Sequence, residues 1–382
     1  MTTNLTNSTN KVPNVPPLRF PEFTGEWKKF ALSDFTERVT RRNKGNTCKL
    51  PLTISAQYGL VDQITFFNKQ IASTDMSNYY LLKKGEFAYN KSYSGDYPWG
   101  AVKRLDRYNE GCLSSLYICF SLKPSVHSDY ITHYFETAKW YQGISEIAGE
   151  GARNHGLLNI AILDYFDTKH YLPINPQEQE KIATLFNLLT ERIETQNKII
   201  QHLESLIKGI SKMLLTKQGN TFIKDCLVCN SSTLQESSVL PCGKYPVYGA
   251  TGISGYLDVP QVEHDAILII KDGAGVGNVR YATDKHGVIG TLNYLSAKNG
   301  YNLKYLYYCL RIFNFTPFVT GLAIPHIYFR DYGNAKIYCP SLIEQKHIAN
   351  NLSNIERKIE VEKQILEKLK EQKKYLLSQM FI

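Results

Sequence analysis

Residues Gln177–Gln218 read QEQEKIATLFNLLTERIETQNKIIQHLESLIKGISKMLLTKQ. Taken alternately four and three apart, this stretch gives Ile182, Phe186, Leu189, Ile193, Gln196, Ile200, Leu203, Ile207, Ile210 and Leu214. An apolar stripe at that spacing over several heptads predicts a helix seamed against another helix. Pro176 precedes the stretch, where a helix starts without losing a hydrogen bond, and Gly219 follows it in the place of a C-terminal cap. The same pattern returns 166 positions later as Ile348, Leu352, Ile355, Ile359, Glu362, Leu366, Leu369, Lys373, Leu376 and Met380. Glu178-Gln179 and Ile182-Ala183 recur as Glu344-Gln345 and Ile348-Ala349, and the polar break at Gln196 recurs in register as Glu362. Asp164-Tyr165 with Pro173 likewise recurs as Asp331-Tyr332 with Pro340. A long repeat of this kind organises the whole chain. It predicts two antiparallel helices with a pseudo-two-fold axis, Gln196 facing Glu362 and fixing the register. An amphipathic hairpin inside a single domain is the plainer alternative.

The organisation that follows is a disordered tail at 1–16, a globular segment at 17–175, a long helix at 176–218, a second globular segment at 219–342 and a second long helix at 343–382. The globular segments mix strands and helices without regular βαβ alternation, so the fold class is α+β. In the first, strands are expected at 50–56 and 61–67 about a turn at Gln57-Tyr58-Gly59, and again at 113–121. A single helix is expected over 128–147. In the second, Asp265–Ile270 reads as a buried strand and residues 302–313 as a helix. The glycine run at 273–277 lacks the Gly-Lys-Ser/Thr ending of a phosphate loop and is followed by a strand, so it reads as a tight hairpin.

The 382 residues suffice for two domains. A hydrophobic fraction of 43% beside 21% charged residues is a folded composition. No apolar run approaches the ~18 residues of a membrane span. The Asn- and Thr-rich start has no basic or apolar region of a signal peptide, so a cytoplasmic location is expected. Eight cysteines lie scattered among apolar neighbours, as reduced thiols do. Cys226 and Cys229 form one Cys-x-x-Cys pair without a second knuckle, so no metal site is expected. The net charge of +9 permits nucleic-acid binding without demanding it.

No catalytic constellation emerges. The Asn/Asp-Pro-Pro-Tyr/Phe motif of N6-adenine methyltransferases is missing, as are the Walker A sequence, His-Glu-x-x-His and Gly-x-Ser-x-Gly. The dispersed histidines do not pair with carboxylates at helical spacing. Binding is the better class, and the chain itself is expected to carry no cofactor.

These residues match a known pattern. Leu18-Arg19-Phe20-Pro21-Glu22-Phe23 with Trp27 resembles the N-terminal entry of type I restriction-modification specificity subunits. The two Glu-Gln-x-x-Ile-Ala signatures, each behind a proline, resemble that family's two helical regions. Pro246-Val247-Tyr248-Gly249-Ala250-Thr251-Gly252-Ile253 resembles an opening of its recognition domains. The resemblance implies two target-recognition domains joined by a long antiparallel two-helix coiled coil. It implies a non-catalytic reader of double-stranded DNA, one domain per half of a split, asymmetric site. Two methyltransferase (modification) subunits would dock on the helices, and restriction/translocase subunits would join them. S-adenosylmethionine, ATP and Mg would belong to those partners. A scaffold that binds proteins through its coiled coil is the alternative class, and a stand-alone DNA methyltransferase or nuclease a further one.

Base edges are read by Arg, Lys, Asn and Gln, and phosphates are held by Lys, Arg, Ser, Thr and Tyr. Polar residues of these types in or beside expected loops nominate Arg41, Arg42, Lys44, Gln57, Tyr58, Asn90, Lys91, Tyr93, Arg153 and Asn154 in the first segment. They nominate Lys244, Tyr248, Thr251, Lys271, Asn278, Arg280, Asn293 and His326 in the second. Leu185, Leu188, Leu206 and Leu215 fall outside the seam and are expected to face partner subunits, packing on the recognition domains being an equally physical alternative. A helix of this length, roughly 60 Å at 1.5 Å per residue, is expected to act as a ruler between half-sites.

Overall fold

The computed structural model describes residues 14–69, 71–148, 156–215, 217–321 and 323–382. Two long helices dominate it, Pro176–Leu215 of 40 residues and Leu342–Gln379 of 38. The chain divides into two compact units, one of residues up to Thr195 with Leu366–Ile382, the other of Gln196–Ile365. The division falls inside both long helices, so each unit holds one globular domain and part of each helix.

Within the first unit the Phe186 ring meets Phe381 at 5.7 Å, and Lys373 Nζ donates to Thr190 Oγ1 at 2.9 Å. Within the second, the Gln196 amide donates to both the carbonyl and the carboxylate of Glu362, and Glu204 pairs with Lys363 at 2.7 Å. Ile207 and Ile210 pack into the same core as Ile348 and Leu352. Rising numbers on one helix meet falling numbers on the other, so the halves run antiparallel in each unit. Ile182, Phe186, Gln196, Ile200, Ile348, Leu352, Ile359, Glu362, Leu366 and Leu369 are buried, while Leu189, Ile193, Leu203, Ile207 and Ile355 are half-buried. The expected facing of Gln196 and Glu362 is realised, with Lys358 holding the other carboxylate oxygen of Glu362.

The repeat governs how each helix begins. Gln179 Oε1 accepts from the His127 N–H at 2.8 Å, and its Nε2 donates to the Pro173 carbonyl at 2.9 Å. Gln345 does the same with the Asn302 N–H at 2.9 Å and the Pro340 carbonyl at 2.8 Å. His127 and Asn302 each cap a helix of the globular domain, Ser128–Tyr134 and Leu303–Ile312. One buried amide thus satisfies a donor and an acceptor that would otherwise be orphaned beside the long helix. Glu178 is only 1% exposed; it takes a forked bond from Arg19 at 2.7 and 2.8 Å and the Trp27 indole N–H at 3.1 Å. The Leu18 N–H donates to the Gln379 carbonyl at 3.0 Å. The lead-in motif therefore clasps an end of each long helix within the first unit. Glu344, the repeat partner of Glu178, is exposed.

Each unit is built on a four-stranded antiparallel sheet. In the first the order is Thr36–Arg38, Ile118–Leu122, Phe87–Asn90, Ala101–Arg104. In the second it is Leu227–Ser231, Leu292–Ala297, Ala266–Ile270, Val279–Ala282. Alternating residues of a strand point to opposite faces. Phe87, Tyr89 and Phe120 accordingly join the core that holds Trp27, Tyr130, Trp140 and the helix residues Ile182 and Phe186, while Ala88 and Cys119 join the core under the hairpins. Ile267 and Ile269 face Leu306 and Leu352, while Leu268 and Ile270 face Val247 and Val288. A sheet covered on both faces explains the continuous apolar run at 266–270. The mixed α+β architecture with paired long helices and an internal repeat is the one the sequence predicts.

Several local expectations change. The strand expected at 61–67 stops at Asp62, whose carboxylate accepts from the Ile64 N–H and the Thr65 hydroxyl and starts a helix at Gln63–Phe67. The strand expected at 113–121 is two, Glu110–Leu113 and Ile118–Leu122 in different sheets, parted by a turn in which Tyr117 N–H reaches the Ser114 carbonyl. The helix expected at 128–147 is also two, Ser128–Tyr134 and Tyr141–Ile147. Between them the Thr137 hydroxyl takes the Tyr134 carbonyl and the Trp140 indole takes the Phe135 carbonyl. Gly219 is no left-handed cap, since the helix ends at Leu215. A Cβ there would stand 2.8 Å from the Lys336 backbone, so close strand approach is what requires glycine. Leu215 is buried in the core of the second domain and does not face outward. Leu188 and Leu206 are 60% and 41% exposed.

Candidate nucleic-acid interface

At the end of the second unit's main sheet, backbone hydrogen bonds tie four polar segments into a row. The Ile289 N–H donates to the Tyr248 carbonyl at 2.9 Å, and the Lys271 N–H to the Thr291 carbonyl at 3.0 Å. The Ile327 N–H donates to the Lys271 carbonyl and the Gly273 N–H to the Pro325 carbonyl, both at 2.9 Å. Arg280 ties into the row, its guanidinium donating to the carbonyls of Gly249 at 3.2 Å and Ala250 at 2.8 Å. The hairpin at its centre turns through Gly273, Gly275 and Gly277, each with φ near +85° (86°, 84° and 85°). Residues with a Cβ rarely adopt that conformation, so the glycines make the turn. The run turns a hairpin, as expected, between Ala266–Ile270 and Val279–Ala282, but residues 271–278 make the connection longer than a tight turn.

The first unit carries a comparable arrangement. The Leu158 N–H donates to the Lys91 carbonyl at 3.0 Å, and the Tyr93 N–H to the Gly156 carbonyl at 3.2 Å. The loop from Lys91 is closed by Gly100, where a Cβ would stand 2.1 Å from the Asn90 carbonyl oxygen. The Tyr89 hydroxyl holds the Trp99 carbonyl at 2.8 Å.

The nominated residues divide by their surroundings. Lys44, Gln57, Tyr58, Lys244, Thr251 and Asn278 are exposed, Gln57 and Tyr58 at the tip of the Leu52–Asp62 hairpin. Asn90, Lys91, Tyr93, Tyr248, Lys271 and His326 are half-buried in the two loop groups. Arg41 spans both carboxylate oxygens of Glu86 at 2.7 and 2.8 Å and the Leu81 carbonyl. Arg42 donates to the Asn78 carbonyl and lies 4.1 Å over the Tyr80 ring. Asn293 is 4% exposed and accepts from the Ser231 hydroxyl at 2.7 Å. The structure thus ties Arg41, Arg42, Arg280 and Asn293 into the protein. Arg153 and Asn154 lie outside the described residues.

Burial lowers the pKa of His286, which packs edge-on to Tyr248 at 5.6 Å and donates to the Asp284 carbonyl. A neutral ring there supports Tyr248 by packing rather than by charge. Sequence reasoning missed Tyr328 and Arg330. Tyr328 is 43% exposed, with His326 against one side at 5.1 Å and the Arg330 guanidinium 4.7 Å from the ring centre. His326 and Tyr328 are alternate residues of an extended segment and so share a side, while Arg330 lies in the short helix Phe329–Tyr332 that follows, a placement the sequence spacing does not signal. Among the described residues no cluster of His, Cys, Asp or Glu could hold a metal, and no helix is long and apolar enough to cross a membrane.

Comparison with known proteins bears out the resemblance over part of the chain. Residues 222–371 match the type I restriction modification DNA specificity domain. The EcoprrI type I restriction enzyme specificity subunit of Escherichia coli is 29% identical over 111 residues, 28% of this chain and 26% of that protein. The alignment therefore spans about a quarter of that relative. The S subunit of the type I restriction-modification system of M. genitalium superposes with a TM-score of 0.60 at 19% identity, over 96% of this chain and 99% of that one. A chain from a structure of complex assembly and conformational transition in the type I R-M system gives 0.56 at 15% identity, over 93% and 97%. At these identities the structural likeness is one of fold.

Proposed function

We propose that this chain, which carries a type I restriction modification DNA specificity domain at residues 222–371, is the specificity subunit of a type I restriction-modification complex. It reads double-stranded DNA in two halves, one domain per half, and the two halves differ in sequence. Methylation, translocation and cleavage belong to partner modification and restriction subunits. S-adenosylmethionine, ATP and Mg are bound by those partners, in the cytoplasm. The observation that carries the reading is the duplicated domain. The same sheet order, closed on its long helix by Gln179 in one copy and Gln345 in the other, presents a polar loop group twice.

Loops on a rigid sheet are where binding residues concentrate. Non-identical loops on a four-stranded sheet of the same order suit a target whose two halves differ. The outer face of the first long helix supports docking of a modification subunit. Phe20, Leu185 and Leu188 line a groove of about 420 Å³ there in the first unit. Exposed apolar patches beside polar rims mark protein contacts.

The test is enrichment of duplexes from a random pool by the chain assembled with its modification subunits. A split motif with an unread centre is expected. A contiguous motif, or no motif, would overturn the reading. The chain alone, given S-adenosylmethionine and the enriched duplex, is expected to transfer no methyl group.

A further inference from the structure

The two recognition loops share no recognisable sequence pattern, but the strand registers relate them residue by residue. In the first unit the short helix Leu32–Phe35 runs straight into the edge strand, and Thr36 pairs with Leu122. In the second, Ile223–Cys226 runs into the edge strand, and Leu227 pairs with Ala297. Leu122 is therefore equivalent to Ala297, and two residues back Phe120 to Leu295. The next ladder pairs Phe87 with Phe120 and Ile267 with Leu295, so Phe87 is equivalent to Ile267. Counting along the central strand, Asn90 falls on Ile270 and Lys91 on Lys271. The cross-strand bonds agree independently. The Lys91 carbonyl accepts from Leu158 at 3.0 Å, and the Lys271 carbonyl from Ile327 at 2.9 Å. The next residue forms an antiparallel bridge to the returning chain in both copies, Ser92 to Leu157 and Asp272 to His326.

Lysine is the nominated residue type retained at this position, while its neighbours differ. Asn90 stands against Ile270, Ser92 against Asp272 and Tyr93 against Gly273. The two halves of an asymmetric site share no base sequence, but they share a phosphate backbone. A cation held at the same register point in both copies matches that common feature. Lysine is a compact charge suited to a phosphate, and it lacks the fork that reads guanine bidentately. Resting on the DNA-reading function proposed above, we infer that Lys91 and Lys271 are equivalent phosphate anchors. Each fixes its domain against one half-site, and the dissimilar residues around it read bases. Lys271 also lies 3.1 Å from Asp272, a partly exposed pair that a phosphate must compete with. Ser92 imposes no such competition, so Lys91 is the stronger anchor.

The test uses the chain assembled with its modification subunits, a duplex enriched from a random pool by the wild-type complex, and a scrambled duplex of the same length. Binding is measured across a salt series. Lys91→Gln and Lys271→Gln are each expected to make the negative slope of log K against log salt shallower by about one, and the double variant by about two. Both duplexes should weaken alike, and each variant should enrich the wild-type motif. Lys91→Arg and Lys271→Arg keep the charge and should keep the slope. Unchanged slopes in the glutamine variants, or a changed base preference in either, would overturn the inference while leaving DNA reading intact. A wild-type complex that enriches no motif would remove both.

Discussion

Lys373 occupies a seam position that the heptad pattern assigns to an apolar side chain. Its ammonium sits 2.9 Å from Glu136 Oε2 and 2.9 Å from Thr190 Oγ1, and its side chain is 16% exposed. Burial works against the Glu136 charge, but His133 and Lys373 outweigh it and bring the carboxyl pKa down to about 2. A carboxylate depressed in the folded state stabilises above its unfolded pKa. That contribution is lost as the pH falls from about 4.5 through 2. A shift of this size corresponds to about 3 kcal/mol, as an order of magnitude. Lys373→Met keeps the seam filled but leaves Glu136 without its cation, and is expected to cost about 2–4 kcal/mol at neutral pH. It should also shrink the acid-induced loss of stability between pH 5 and 2. Urea unfolding followed by tryptophan fluorescence checks this, because Trp27, Trp99 and Trp140 all lie in the first unit. A variant as stable as wild type at pH 7, with the same acid limb, would refute it.

At the scale of the element, the matched polar break is the informative feature of the long helices. Gln196 is 8% exposed and Glu362 7%, in a stripe that is otherwise apolar except at Lys373. The Glu362 carboxylate is held below its usual range by Lys358 and then by the Gln196 amide. Polar groups at seam positions cost stability and fix register. Gln196→Leu with Glu362→Leu is therefore expected to raise the thermal midpoint by a few degrees and loosen the alignment of the two helices. Calorimetry reads the first effect. Cysteine cross-linking at positions flanking 196 and 362 reads the second, with new pairings expected one heptad away. An unchanged midpoint together with a single cross-link register would show that the pair does neither.

At the scale of the molecule, two copies of one domain carry different loops on the same sheet. Exchanging residues 219–341 for the corresponding segment of a subunit with another target is expected to change one half of the methylated site and leave the other. Methylome sequencing of a strain carrying the chimera shows whether this holds. A change in both halves would mean that the domains do not read independently.

The duplicated long helices, their seam, the facing of Gln196 with Glu362 and the α+β class were all legible in the sequence. Heptad spacing is a local property of a helix, and a repeat declares itself by its own register. The buried strand at 265–270 and the glycine hairpin after it were legible for the same local reason. The breaks at Asp62, Ser114 and Thr137 were not, because a side chain that captures a nearby backbone group competes with the pattern around it. The site was legible only as a set of polar loops. Which of its cations bind inside the protein, as Arg41 does to Glu86, depends on residues far apart in the chain. The equivalence of Lys91 with Lys271 rests on strand pairing, which holds backbone positions in register whatever the side chains are, and so only the tertiary structure decided it.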